Sequence, residues 1–109
     1  MTAFITTEDE VKTMGSTLIC PRCKTGNLHQ TSCTTFWRES EDADSGKIVT
    51  TSHESIVENS HLMSGNPSNR RDGIVIRFEC EQCAAGPMLS IKQHKGTTYI
   101  GWDSMRVIL

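Results

Sequence analysis

Two short segments of the chain share one pattern: Cys20-Pro21-Arg22-Cys23-Lys24-Thr25-Gly26 and Cys80-Glu81-Gln82-Cys83-Ala84-Ala85-Gly86. Each reads Cys-x-x-Cys-x-x-Gly. Two residues between cysteines let a tight turn aim both sulfurs at one ion, and the following glycine can take the left-handed conformation that completes the turn. The two knuckles together supply four thiolates. A closed tetrahedral shell of four cysteines suits zinc, and with no position open to water it suits a structural rather than a catalytic ion. The expected cofactor is therefore one structural Zn2+ on Cys20, Cys23, Cys80 and Cys83.

Other chemistry for these thiols is weaker. A thioredoxin-like redox motif needs one pair in a βαβ setting, whereas here there are two pairs and little helical pattern. Four thiolates also suit iron, in a rubredoxin-like or iron-sulfur centre, so zinc is the default rather than the sole metal. The fifth cysteine, Cys33, sits among Ser and Thr and reads as a small apolar residue. An odd cysteine count argues against a secreted disulfide scaffold and for a reducing compartment where thiolates bind metal.

The elements that must position these ligands are short. The chain has 109 residues, of which 36% are apolar, or about 43% with its 8 glycines, slightly below the roughly 45 to 50% usual when glycine is counted in. One modest core is expected, with metal as its staple. No run of about 18 apolar residues occurs, and the first residues lack a basic start and an apolar stretch. A membrane span and a secretory signal are thus not expected, and the expected location is cytoplasmic.

Residues 1–17 form an N-terminal segment with one weak helical signal: Thr7 can cap, Glu10 can reach back, and Val11 and Met14 offer an apolar side. Residues 18–109 read as a single domain. Leu28 to Arg38 (LHQTSCTTFWR) is rich in β-branched and aromatic residues and predicts a strand. Glu39 to Lys47 carries four acids and a Ser-Gly pair and predicts a solvated hairpin tip. Ile48 to Val57 predicts the strand returning antiparallel to the first. Glu58 to Gly73 holds two Gly, a Pro and many Ser or Asn and predicts a long connection.

After it, IVIRFEC alternates, with Ile74, Ile76 and Phe78 on one face, which predicts a half-buried strand. The stretch Met88 to Trp102 gives two β-rich runs around Lys95-Gly96, a tight hairpin turn. With the paired knuckles these elements resemble the zinc-ribbon class, whose fold has cysteine knuckles at hairpin tips clamping zinc under a three-stranded sheet. Gly65 to Gly73 (GNPSNRRDG), Phe78 to Cys83 and Gln93 to Thr97 (QHKGT) narrow the resemblance to small four-cysteine zinc-ribbon proteins of bacteria and their phages. It runs from about Ile19 to Trp102 and implies metal binding, with no activity attached. The expected fold is mostly β: a small zinc ribbon with antiparallel hairpins, an enlarged central hairpin and a short N-terminal helix.

For function, the net charge of −2 is too small to name a partner, but it is unevenly placed. Residues 1–61 hold 5 basic and 9 acidic side chains, and residues 62–109 hold 6 and 4. Arg70, Arg71, Lys92 and Lys95 could form a phosphate-binding patch, the usual sequence-independent source of affinity for nucleic acid. The bland reading is solvated charge, with Arg71 paired to Asp72. Phe36, Trp37, Tyr99 and Trp102 could stack on bases, yet six aromatic residues in all leave most of them needed for the core.

The four histidines, His29, His53, His61 and His94, show no ligand spacing, and neither a P-loop nor a G-x-S-x-G elbow occurs. Enzymatic activity is not expected. The primary reading is a nucleic-acid-binding module. The alternative is a phage or mobile-element factor that engages a host protein through the acidic hairpin, and exposed strand edges also allow a homodimer.

Overall fold

The computed structural model describes residues 17–59, 63 and 65–107. The helical reading of the N-terminal segment therefore falls outside the described residues. Six strands form one antiparallel sheet: β1 (Leu28–Arg38), β2 (Gly46–Thr51), β3 (Ile56–Asn59), β4 (Gly73–Cys80), β5 (Ala85–His94) and β6 (Thr97–Val107), in the order β3-β2-β1-β4-β5-β6. Two three-stranded meanders thus meet along β1 and β4. The sheet is larger than the three strands that the zinc-ribbon resemblance implies.

The strand predicted from Ile48 to Val57 breaks in two. Ser52 donates its backbone N–H to the Ser55 carbonyl at 3.0 Å, and Ser52 Oγ accepts the Glu54 N–H at 3.3 Å. A serine hydroxyl that bonds its own backbone competes with the ladder, so the chain reverses at Ser52–Ser55 instead of running on. Residues 56–59 become the edge strand β3, which takes in Glu58 and Asn59 from the stretch read as a connection. At the other end of the sheet, Lys95 and Gly96 take φ of 49° and 79°. Positive φ at both central residues is what a two-residue hairpin turn requires.

Pairing decides which side chains share a face. Phe36 lies opposite Ile48 in β2 and Gly73 in β4, and Thr34 lies opposite Thr50 and Val75. On this face Met63 packs with Phe36 and Val75, flanked by Ile48 and Met88. Arg77 crosses the same face to donate to Thr34 Oγ1 at 2.9 Å. On the opposite face Phe78 meets Trp102 edge-on, with centroids 6.0 Å apart. A second cluster of Cys20, Cys80 and Ala85, with Leu28 beside it, lies at the knuckles. The apolar core is therefore small and split. That division fits a fold in which metal ligation carries part of the stability. Among the described residues no helix is long and apolar enough to cross a membrane.

Candidate metal centre and basic surface

Both knuckles lie at one end of the sheet. Leu28 opens β1 opposite Cys80, which closes β4, and the second knuckle is the turn from β4 into β5. The first knuckle precedes β1, with no strand before it among the described residues, so only the second is a hairpin tip. Glu81 N–H donates to the Asn27 carbonyl at 3.0 Å, and His29 Nε2 meets Glu81 Oε2 at 2.5 Å. These contacts tie one knuckle to the other.

The two knuckles turn the same way. Lys24 N–H reaches the Cys20 carbonyl at 2.9 Å, and Ala84 N–H reaches the Cys80 carbonyl at 3.2 Å. The left-handed residues are Lys24 (φ 66°) and Ala84 (φ 59°), not Gly26 and Gly86. This corrects the sequence expectation. The reversal is needed directly after the second cysteine, where the N–H must fold back on the first, and the glycines lie beyond it.

Cys20, Cys23, Cys80 and Cys83 place their sulfurs within 4.8 Å of one another. Cys20 Sγ lies 3.7 Å from Cys83 Sγ, and Cys23 Sγ lies 3.5 Å from Cys80 Sγ. Metal–sulfur bonds of about 2.3 Å in a tetrahedron separate the sulfurs by about 3.8 Å. The donor set therefore fits a four-thiolate metal ion. Cys20 and Cys80 are buried and Cys23 and Cys83 half-buried, so an ion there would be shielded from water.

The environment divides the thiols. Thr25, with its hydroxyl 3.2 Å from Cys23 Sγ, lowers the Cys23 pKa to about 6, aided by its backbone. Burial pushes Cys83 up to about 12. Burial also works against charge on Cys80, but N–H groups of Cys83 and Gln82 bring it below its usual value. Cys23 is then the thiolate most ready to meet a cation, since only the thiolate ligates. Cys33 lies apart from the cluster, half-buried on β1.

The four residues of the predicted basic patch differ in their partners. Arg70 grips Asp42 with Nε 2.5 Å from Oδ1 and Nη2 2.9 Å from Oδ2, and Glu41 Oε1 lies 3.6 Å from Arg70. Arg71 pairs with Glu41, not with Asp72. The Arg71–Asp72 pairing is therefore corrected. The acidic tip is exposed, as its composition predicts, and its Glu41 and Asp42 form surface ion pairs with the two arginines because the β1–β2 turn folds back onto the turn before β4. Asp42 N–H also donates to the Arg70 carbonyl at 3.0 Å.

Lys92 and Lys95 carry no acid partner among the described residues. Lys92 lies on β5 opposite Tyr99 in β6, and Tyr99 is 49% exposed. Trp37, at 51%, is also exposed, whereas Phe36 is buried and Trp102 half-buried. Sequence reasoning had no signal for the residue that organises this end of the sheet, Arg38. Its guanidinium donates to the carbonyls of Ala43 (2.5 Å), Ser68 (2.7 Å) and Arg71 (2.8 Å). An arginine in a strand gives no hint of which loops will meet it. Compared with known protein families, with curated proteins and with solved structures, the chain matches none.

Proposed function

We propose that the chain is a non-enzymatic zinc-binding module of zinc-ribbon type that contacts nucleic acid through the basic end of its last hairpin. Zinc is preferred because four thiolates in a closed tetrahedron, with no open position, suit a structural ion of that kind. The observation that carries the binding reading is the pair Lys92 and Tyr99: an ammonium with no carboxylate partner among the described residues, beside a half-exposed aromatic ring. Lysine neutralises phosphate, and an exposed ring stacks on bases without regard to sequence. Lys95 extends this surface at the turn. Arg70 and Arg71 drop out of it, since Glu41 and Asp42 already neutralise them.

Binding on these terms is weak and salt-sensitive. With two phosphate contacts, log affinity should fall against log salt with a slope of roughly −1.5 to −2. Lys92→Ala with Lys95→Ala should abolish that slope, and Arg70→Ala with Arg71→Ala should leave it unchanged. Titration of labelled single and double strands at several salt concentrations decides the matter. An intact, metal-loaded protein that binds neither strand at low salt sinks the reading.

A second reading has its own observation. Ile56 and Val57 on the edge strand β3 are 75% and 53% exposed, and edges of this kind invite another chain. A phage or mobile-element factor that pairs this edge with a host protein, or a homodimer across it, would use that strand and not the acidic tip. Ile56→Lys would then abolish partner capture while leaving nucleic-acid binding intact.

A further inference from the structure

The turn before β4 and the β5–β6 hairpin enclose a pocket of about 290 Å³, lined by Pro67, Ser68, Asn69, Lys92, His94 and Tyr99. We propose that this pocket holds one phosphate-bearing nucleotide unit, with Lys92 and His94 on the phosphate and Tyr99 against the base. For a strand of nucleic acid the inference rests on the function proposed above. For a free mononucleotide it stands alone.

The first support is charge. Lys92 and His94 are two residues apart on β5 and so share a face of the strand, and both are half-buried. No carboxylate lines the pocket among the described residues. The nearby acids are occupied elsewhere: Asp72 Oδ1 accepts the Arg38 N–H at 2.8 Å, and Glu41 and Asp42 face Arg70 and Arg71. A concave site with an ammonium, an imidazole and an amide but no acid selects an anion.

The second support is rigidity. Ser68 is 2% exposed, and every polar group it owns is bonded. Its N–H donates to Asn66 Oδ1 at 2.9 Å and its hydroxyl to the Gln93 carbonyl at 2.7 Å. That hydroxyl also accepts the Arg71 N–H at 3.0 Å, and the Ser68 carbonyl accepts from Arg38. The wall facing Lys92 is thus fixed to β5 and β1 before any ligand arrives. Preformed walls lower the ordering cost of binding. The third support is the ring pair, His94 and Tyr99, with centroids 6.4 Å apart and planes tilted by 59°. Tyr99 is 49% exposed, so part of its ring is open to a planar group.

The test uses the full metal-loaded chain and ¹H–¹⁵N spectra. Inorganic phosphate, uridine monophosphate, uridine and a short oligothymidylate are titrated separately. The monophosphate should shift the amides of Ser68, Asn69, His94 and Tyr99, and it should bind more tightly than phosphate or uridine. Lys92→Gln should weaken the monophosphate and the oligonucleotide about tenfold. Tyr99→Leu should weaken the monophosphate about tenfold but leave phosphate unchanged. Unshifted peaks at the knuckles report that each variant is folded.

Monophosphate binding without oligonucleotide binding supports the pocket and removes the strand reading. Oligonucleotide binding that ignores Lys92→Gln, with no monophosphate shifts at the pocket, overturns the pocket and keeps the strand reading. Silence from every ligand overturns both.

Discussion

Arg38 and Asp72 meet at the end of the sheet remote from the cysteines. Asp72 Oδ1 accepts the Arg38 backbone N–H at 2.8 Å, while the Arg38 guanidinium reaches past it to the carbonyls of Ser68 and Arg71. One side chain thereby holds the β1–β2 turn and the turn before β4 against β1. Three carbonyls depend on it, and leaving a buried acceptor unpaired costs about 1 to 3 kcal/mol. Arg38→Ala should therefore lower unfolding stability by roughly 2 to 3 kcal/mol in urea. Arg38→Lys should recover little, since an ammonium cannot reproduce the fork. Full stability in Arg38→Ala would show that the turns hold themselves.

The acidic tip is exposed but tied to the turn before β4 by ion pairs and a backbone hydrogen bond. Deleting Glu41 to Ser45 and joining the ends with glycine removes the partners of Arg70 and Arg71 and the carbonyl of Ala43 that Arg38 uses. The melting midpoint should drop, against what an untied tip would give. An unchanged midpoint would mean that these contacts contribute nothing in solution.

The Asp42–Arg70 pair also sets a pH dependence. The hydrogen bond from Arg70 holds the Asp42 carboxyl below its ordinary value. A group whose pKa is depressed by folding stabilises above its unfolded pKa, near 3.9, and that contribution vanishes as pH falls through the folded value. The gap in melting midpoint between the parent and Asp42→Asn should be constant from about pH 5 to 8 and close below about pH 4. Thiolate protonation loosens the metal in both proteins alike, so the difference isolates the pair. A gap that widens on acidification contradicts the assignment.

Metal should be an obligate part of the fold. The apolar clusters are small, so binding free energy here is largely folding free energy. Elemental analysis should find one ion per chain, and chelation should abolish cooperative unfolding followed by circular dichroism. Serine at Cys20, Cys23, Cys80 or Cys83 should each do the same, whereas Cys33→Ser should be nearly silent. A chelated protein with an unaltered melt would end the structural-metal reading.

Gly73 is a close-approach position. A Cβ there would lie 2.6 Å from Asn66 Oδ1 and 2.8 Å from Pro67 Cγ, both in the turn that Arg38 and Ser68 lock in place. Gly73→Ala should cost about 1 to 3 kcal/mol through overpacking. By contrast, Ala84→Gly should gain roughly 0.5 to 1 kcal/mol, because it relieves a left-handed residue that carries a Cβ. Chemical unfolding of both variants checks the opposite signs.

Cys20, Cys23, Cys80 and Cys83 were legible from spacing alone, because a Cys-x-x-Cys turn is a local device and two of them have one obvious common use. β1 was legible for the same kind of reason, since β-branched and aromatic residues act within a single strand. The sequence by itself thus determined the β character, the clustered cysteines and the Lys95-Gly96 turn. What it could not determine were relations between segments distant along the chain. Arg70 and Arg71 look like free cations until β1 pairs with β4 and brings Glu41 and Asp42 against them. Lys92 becomes part of a pocket because the turn before β4, with Ser68 bonded to Gln93, lies beside it. Charge and hydrogen bonding are satisfied in space, so a residue's type and its neighbours in sequence leave its partners open, and the order β3-β2-β1-β4-β5-β6 decides them.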